Sequence, residues 1–131
     1  MNNSHDDNSN IDCAEKSSKV RQLNDLFRKT LTGGTVVITA GIIALGAEKQ
    51  AEVVAKVQAF DVFTADNDPW NEHDMGVIEI EVPGPGFGGT VTERVMWKMD
   101  YYDLTRAYMS PDPADPAVTE RVLTIMLASE Y

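Results

Sequence analysis

The residues best suited to chemistry lie in one short stretch, positions 66–74. The stretch contains four carboxylates and one imidazole, those of Asp66, Asp68, Glu72, His73 and Asp74. Oxygen-rich clusters of this kind suit hard divalent cations such as Mg²⁺, Mn²⁺ or Ca²⁺. The spacing departs from the calcium-binding loop, because the central Gly and the closing Glu are missing. The stretch is therefore a candidate site without the signature of a known one.

Three roles remain open for these side chains. They could coordinate a divalent metal ion, they could bind a partner, or Asp66 and Asp68 could accept hydrogen bonds from nearby backbone N–H groups. Zinc is not expected, because neither a cysteine nor a second histidine lies close by.

Catalytic chemistry has weaker support in the sequence. There is no Gly-x-Ser-x-Gly elbow, and Cys13 lies in the expected N-terminal tail. Carboxylate pairs for acid–base catalysis could combine the stretch with Asp100 or Asp103. Trp97, Tyr101 and Tyr102 could line a cleft beside them, although aromatic residues on a strand lie more often in the core. We predict no catalytic residues. The candidate binding residues are Asp66, Asp68, Trp70, Glu72, His73, Asp74, Asp100, Tyr102 and Asp103.

A glycine motif follows this stretch. Gly84, Gly86 and Gly89 match the spacing of the dinucleotide fingerprint and of the kinase glycine loop. The dinucleotide motif needs a strand-to-helix turn, whereas this segment joins two predicted strands and contains Pro83 and Pro85, which have no N–H for a phosphate. A kinase needs further catalytic segments for which the chain is too short. We interpret the motif as a flexible hairpin tip.

Charge is distributed unevenly along the chain. The 131 residues include 21 acidic and 11 basic ones, which gives a net charge of −10. Residues 57–93 hold eight of the acids and no Lys or Arg. This argues against direct binding to nucleic acid or to an anionic membrane, because both need a positive footprint. A role of the charge in solubility alone stays open.

The single Cys13 and the polar start of the chain indicate a cytoplasmic location. One thiol excludes an internal disulfide, so a reducing cytoplasm is expected. No secretory signal is expected, because the first residues lack a basic and an apolar region. The uncharged stretch 30–47 approaches the length of a membrane span, but Gly and Thr interrupt it, and we interpret it as a turn, a strand and a bend.

Apolar periodicity predicts one domain over residues 15–131, after a disordered, solvated tail at 1–14. A first helix is expected over 15–31, where apolar residues recur at three- and four-residue intervals. The β-branched run 35–39 predicts a buried strand. A second helix is expected over 47–60.

The second half of the chain changes to the two-residue period of strands. Residues 78–82 and 94–101 alternate apolar and polar side chains, and a hairpin loop at 83–90 joins them. Pairing across this loop would place Glu79 and Glu81 near the bases of the other strand, so those bases are expected to be cross-strand partners.

The C-terminal segment carries a helix start signal. Asp115 can cap a helix, and Pro116 fits the first helical position. Because apolar residues follow, a last helix is predicted over 115–127. The order α-β-α-β-β-α, with an antiparallel hairpin, predicts an α+β two-layer domain.

Three ungapped blocks contain Asp66-Asn67-Asp68-Pro69 with Glu72-His73-Asp74, then Trp97-Lys98 with Asp100-Tyr101-Tyr102-Asp103, then Asp112-Pro113-Ala114-Asp115-Pro116 through to Tyr131. They resemble a family of short alphaproteobacterial proteins known as domain of unknown function 3768. The resemblance covers residues 20–131 and implies no established activity. It implies a bacterial cytoplasm and a context of plasmids and other mobile elements. The Gly-rich hairpin loop and Trp70-Asn71 depart from the family pattern, so a function in either would not transfer.

Two hypotheses follow from these patterns. The first is an accessory or inhibitory binding protein of a mobile element, whose anionic face over residues 61–81 docks on a basic protein surface and imitates nucleic-acid charge. The second is a small metal-dependent hydrolase that uses the 66–74 stretch. We favour binding over catalysis, and we predict no cofactor other than the divalent metal of the second hypothesis.

Overall fold

A four-stranded mixed sheet forms one layer of the protein. The computed structural model describes residues 4–86 and 88–131. The strands are β1 (Thr35–Ile38), β2 (Met75–Pro83), β3 (Thr90–Tyr102) and β4 (Glu120–Leu127). Their spatial order is β1-β4-β3-β2. β1 runs parallel to β4, and the other pairs are antiparallel, so β1 and β2 are the edge strands.

Helices cover one face of this sheet. They are α1 (Ser4–Thr30), α2 (Ala40–Ile43) and α3 (Ala47–Gln58), and a short 3₁₀ turn follows β4 at Ala128–Glu130. The core lies between the helices and the sheet and contains Phe27, Ile42, Val53, Val57, Ile80, Val95, Trp97, Met99, Leu123 and Ile125. The protein is therefore an α+β domain, as predicted.

α1 begins at Ser4, well before the predicted start near residue 15. The helix thus includes most of the segment 1–14 that was expected to be a disordered tail, while residues 1–3 lie outside the described part. No Gly or Pro occurs before Gly33. Extending an existing helix costs much less than nucleating one, so this polar segment can continue the helix that the amphipathic stripe begins.

The prediction of a last helix over 115–127 is wrong, because residues 120–127 form the central strand β4. Neighbours on both sides and burial of most of its side chains remove the two-residue alternation that marks a half-buried strand. A short apolar run of this kind does not distinguish a strand from a helix. The Asp115 carboxylate accepts the Ala117 N–H at 2.9 Å, but it does so in a turn.

The positions of the other predicted elements are confirmed for β1, α3 and the β2–β3 hairpin. β1 is not the buried strand that was predicted, because it lies at the edge of the sheet and its Val37 is 41% exposed. Glu79 lies opposite Arg94 in the hairpin, as expected. Lys98 lies opposite Met75 instead of an acid, and its ammonium group contacts Asp100 at 2.9 Å.

No helix within residues 4–86 or 88–131 combines the length and the apolar character that crossing a bilayer requires. The uncharged stretch 30–47 forms β1 and α2.

Candidate functional site

The acidic loop, residues 61–74, is fixed against α1. Arg21 Nη1 donates to the Asn71 carbonyl oxygen at 3.1 Å, and Asn24 Nδ2 donates to the Glu72 carbonyl oxygen at 3.0 Å. The loop contains turns and no regular helix or strand. The helix side chains therefore supply the backbone partners that a regular element would supply itself.

Asp68 is the internal support of the acidic loop. It is 5% exposed, and its two carboxylate oxygens accept the backbone N–H groups of Glu72 at 3.0 Å and His73 at 3.1 Å. Asn71 and His73 have φ angles of 54° and 55°, in the left-handed region. The two hydrogen bonds hold this unusual backbone in place, so Asp68 has the structural role that the sequence left open.

His73 lies in the centre of a charged cluster. Its ring stacks on Phe63, with the centroids 3.7 Å apart and the planes at 4°. Its Nδ1 is 2.8 Å from Asp25 Oδ1, and its Nε2 is 3.8 Å from Asp68 Oδ2. Asp25 also accepts from the buried Arg28 at 3.0 Å. An imidazole held by a carboxylate can store or transfer a proton, which is what this arrangement offers chemically.

A cavity of about 370 Å³ opens beside this cluster. Its lining combines cationic, anionic and aromatic side chains, from Asp25, Arg28, Lys29, Gln58, Ala59, Phe60, Asp61, Phe63 and His73. The mixture of charges favours no single class of small ligand.

A second polar network joins α1 to the sheet through Asn24. The Asn24 side chain is fully buried, donates to the Tyr101 hydroxyl at 2.8 Å and accepts from Arg121 Nε at 2.6 Å. The Arg121 guanidinium lies 5.1 Å from the centre of the Tyr101 ring. Burial raises the pKa of Tyr101 and lowers the pKa of Arg121. The network satisfies these groups internally, which indicates a structural role.

Glu72 and Asp74 are half-buried between these two clusters. Burial raises the pKa of the Glu72 carboxyl, and repulsion by Asp74 and Asp68 adds to the effect. Burial also raises the pKa of Asp74, with further contributions from Asp68 and Asp100. Ionisation of either group is therefore less favourable than it is in water.

Of the other predicted site residues, Asp100 lies near enough to Asp74 to repel it, and each charged one has a partner of its own. Asp100 pairs with Lys98, and Tyr102 is half-buried at the end of β3. Asp103 accepts the backbone N–H and the hydroxyl of Thr105, and the hydroxyl bond lowers the pKa of Asp103. These contacts stabilise a turn, and they do not require a ligand.

The five ligands of the metal hypothesis do not converge. Asp68 faces the loop backbone, Asp66 faces solvent, and His73 is directed at Asp25. Within residues 4–86 and 88–131, no group of three or more His, Cys, Asp or Glu side chains is placed to hold a metal ion.

A second cavity, of about 450 Å³, lies at the start of β2 and is more apolar. It is lined by Phe60, Val62, Asp66, Asn67, Met75, Gly76 and Val77. Gly76 is required at its base, because a Cβ atom there would lie 2.6 Å from both the Phe60 ring and the Trp97 indole nitrogen. The candidate residue Trp70, which does not line this cavity, is 75% exposed in the acidic loop.

Three exposed carboxylates lie along this side of the molecule, and we call them the acidic edge: Asp66, Glu79 and Glu81. Asp66 lines the cavity beside Val77, and the two glutamates follow Val77 on the same face of β2 at intervals of about 7 Å. The anionic face expected over residues 61–81 is therefore incomplete, because Asp68 is buried and Glu72 and Asp74 are half-buried.

Four residues of the two clusters were missed by sequence reasoning: Asn24, Asp25, Arg28 and Arg121. A signal existed for two of them, since Asn24 and Arg28 follow Val20 at intervals of four, on the buried face of α1. Nothing in the sequence indicated Asp25 or Arg121.

The comparisons with known proteins give a family and no activity. The family model described as "Protein of unknown function (DUF3768)" matches residues 38–130. The chain therefore belongs to this family of uncharacterised proteins. A search of curated proteins and a search of solved structures each found no match.

Proposed function

We propose that this protein is a binding protein whose acidic edge docks on a basic surface of a partner protein. The observation that carries the proposal is the exposure of Asp66, Glu79 and Glu81 around an apolar cavity, which Asp66 lines and whose Val77 the two glutamates follow along β2. Apolar contact area and a charged rim are the two components of a protein interface. Complementary charge would accelerate the encounter and select basic partners.

Hydrogen bonds favour the charged form of Glu81, one member of the acidic edge. The hydroxyl groups of Thr92 and Thr90 donate to the Glu81 carboxylate, and these bonds lower the pKa of Glu81. The neighbouring Lys49 and Lys56 both pair with Glu52, at 3.1 and 3.5 Å. These two helical lysines thus already share an acid of their own helix, while Arg94 lies opposite Glu79 in the hairpin.

We place this activity in the bacterial cytoplasm, as an accessory or inhibitory function of a mobile element. The family resemblance supports that setting, and the exposed free Cys13 suits a reducing compartment. A chain with a net charge of −10 can compete for a surface that normally binds nucleic acid. Direct contact with nucleic acid or with a membrane is not part of the proposal.

The test is capture of a host protein by the immobilised full chain. Asp66→Asn/Glu79→Gln removes two charges of the acidic edge, and Glu15→Gln/Glu48→Gln removes two exposed charges from helices as a matched control. We expect the first variant to lose at least about 80% of the captured partner, and the control to retain it, because only the first removes interfacial charge. Equal retention by both variants would contradict the proposal.

A further inference from the structure

The outer side of β2 is an unpaired strand edge of nine residues. At the two ends of β2, the Met99 N–H donates to the Asp74 carbonyl oxygen and the Gly84 N–H donates to the Gly89 carbonyl oxygen, so the even-numbered positions face β3. Glu79 therefore directs its backbone away from β3, and its carbonyl oxygen accepts from Lys56 Nζ at 3.0 Å. In an antiparallel strand this direction repeats at every second residue, so Met75, Val77 and Glu81 also direct their N–H and C=O groups outward. No other hydrogen bond from the described residues reaches the outward backbone of these four.

The apolar cavity lies at one end of this edge. Met75 and Val77 belong both to its lining and to the outward row of backbone groups. A chain that paired with β2 would therefore place one side chain near the cavity. Phe60 and Val62 supply further apolar lining.

The negative charge along the β2 edge determines which kind of strand can pair with it. Glu79 and Glu81 follow Val77 on the same face, so residues opposite them in an added strand would have to tolerate two carboxylates. A second copy of this chain pairing through β2 would bring like charges together, which is destabilising. A basic segment would meet complementary charge.

We propose that an extended segment of a partner protein adds to the β2 edge as a fifth strand. The segment carries an apolar side chain for the cavity and Lys or Arg at the next two alternate positions. Main-chain hydrogen bonds supply affinity, and the alternate side chains supply specificity. This inference rests on the proposed function and names the partner's conformation and side-chain pattern.

In the unbound chain, Lys56 contacts the exposed edge of β2. Its ammonium group donates a hydrogen bond to the Glu79 carbonyl oxygen and lies 3.5 Å from the Glu52 carboxylate. A backbone N–H of the added strand would replace it, and Lys56 would keep its ion pair. Lysine at a strand edge is a common protection against unwanted pairing.

The experiment uses a labelled, threonine-based peptide with one leucine followed at alternate positions by two lysines. Fluorescence anisotropy measures its binding to the full chain, in both sequence directions. We expect one direction to bind, and we expect Glu79→Gln/Glu81→Gln to weaken binding about threefold to tenfold, while Glu15→Gln/Glu48→Gln leaves it unchanged.

Methylation of the peptide nitrogens that face β2 separates strand addition from charge attraction. It removes the main-chain donors and keeps every side chain, so we expect a loss of about tenfold or more in affinity. Val77→Pro makes the matching change in the protein, because proline removes an outward N–H that pairs with no other strand. The methylated peptide tests the wild-type chain, so the result does not depend on the folding of this variant.

Three results would overturn the inference. The first is equal binding of the methylated and unmethylated peptides. The second is a host partner whose capture depends on Asp66 and Glu79, combined with no peptide binding, which would leave the proposed docking function intact. The third is a dimer of the chain alone in sedimentation that Val77→Pro dissociates, because a second copy would then be the occupant of the edge.

Discussion

Asp68 and Glu79 belong to the same segment without lysine or arginine, yet Asp68 is 5% exposed and Glu79 faces solvent. In the acidic loop, the carboxylate of Asp68 accepts hydrogen bonds from two backbone N–H groups. On the acidic edge, the carboxylates lie beside an open strand and an apolar cavity. Local charge density is therefore a poor guide to function, and the partners of each carboxylate are a better one.

The loop and the edge should respond differently to mutation. Changes in the loop should alter the stability of the fold, because its polar groups satisfy one another in buried positions. Changes on the edge should alter binding and leave stability nearly constant, because its carboxylates are exposed and no buried group depends on them.

The largest expected effect comes from Asn24→Ala. This change removes the partner of Tyr101, Arg121 and the Glu72 carbonyl oxygen at once. Because the buried Arg121 guanidinium would lose one of its two acceptors and keep only the Pro113 carbonyl oxygen, we expect a loss of about 3 kcal/mol in the free energy of unfolding. Urea denaturation measures it. Gln22→Ala on the exposed side of α1 is the control, and a similar loss in both variants would contradict the buried network.

Asp68→Ala should have the next largest effect, about 2 kcal/mol, because two backbone donors near the strained turn lose their acceptor. The matched change Asp66→Ala, two positions earlier, should stay within about 0.5 kcal/mol of the wild type. Urea midpoints of the two variants compare the loop with the edge directly. Equal urea midpoints for the two variants would contradict a structural role of Asp68 that Asp66 lacks.

Sequence reasoning succeeds where the deciding interactions are local in the chain. β1, α3 and the hairpin were predictable, because their periodicity is a local property of the chain. The structural role of Asp68 was one of the open alternatives, since its partners lie four and five residues away.

The partners of Asn24 were not predictable in this way. They include Glu72 and Arg121, 48 and 97 positions away, and only the tertiary fold brings them together. β4 was missed for a related reason. Its apolar run has no period of its own, and its burial depends on β1 and β3 at its two sides.

A smaller effect is expected from the pH dependence of stability. Burial raises the pKa of Glu72 in the folded chain, so the folded state binds more protons than the unfolded state from about pH 4 upward to that raised value. Stability therefore falls as pH rises through this window. Glu72→Gln should exceed the wild type in urea midpoint at pH 7, and the difference should shrink at or below about pH 4. The exposed Glu15→Gln is the control, and a constant difference at both pH values would contradict the assignment.

The smallest expected effect is that of added metal. Mg²⁺, Mn²⁺, Ca²⁺ or Zn²⁺ at about millimolar concentration should leave the melting temperature unchanged, because a ligand raises it only by binding the folded state. Thermal unfolding followed by circular dichroism measures this. A rise that Asp66→Asn or Asp74→Asn abolishes would revive the hydrolase hypothesis.

The most direct test of docking through the acidic edge is the salt dependence of partner capture. Exposed charges are screened beyond about 10 Å at 0.1 M salt, and more strongly at higher salt. We expect recovery of the partner by the wild-type chain to fall about tenfold or more between about 0.05 M and about 0.5 M salt. Recovery that stays constant over this range would contradict the central role assigned to Asp66, Glu79 and Glu81.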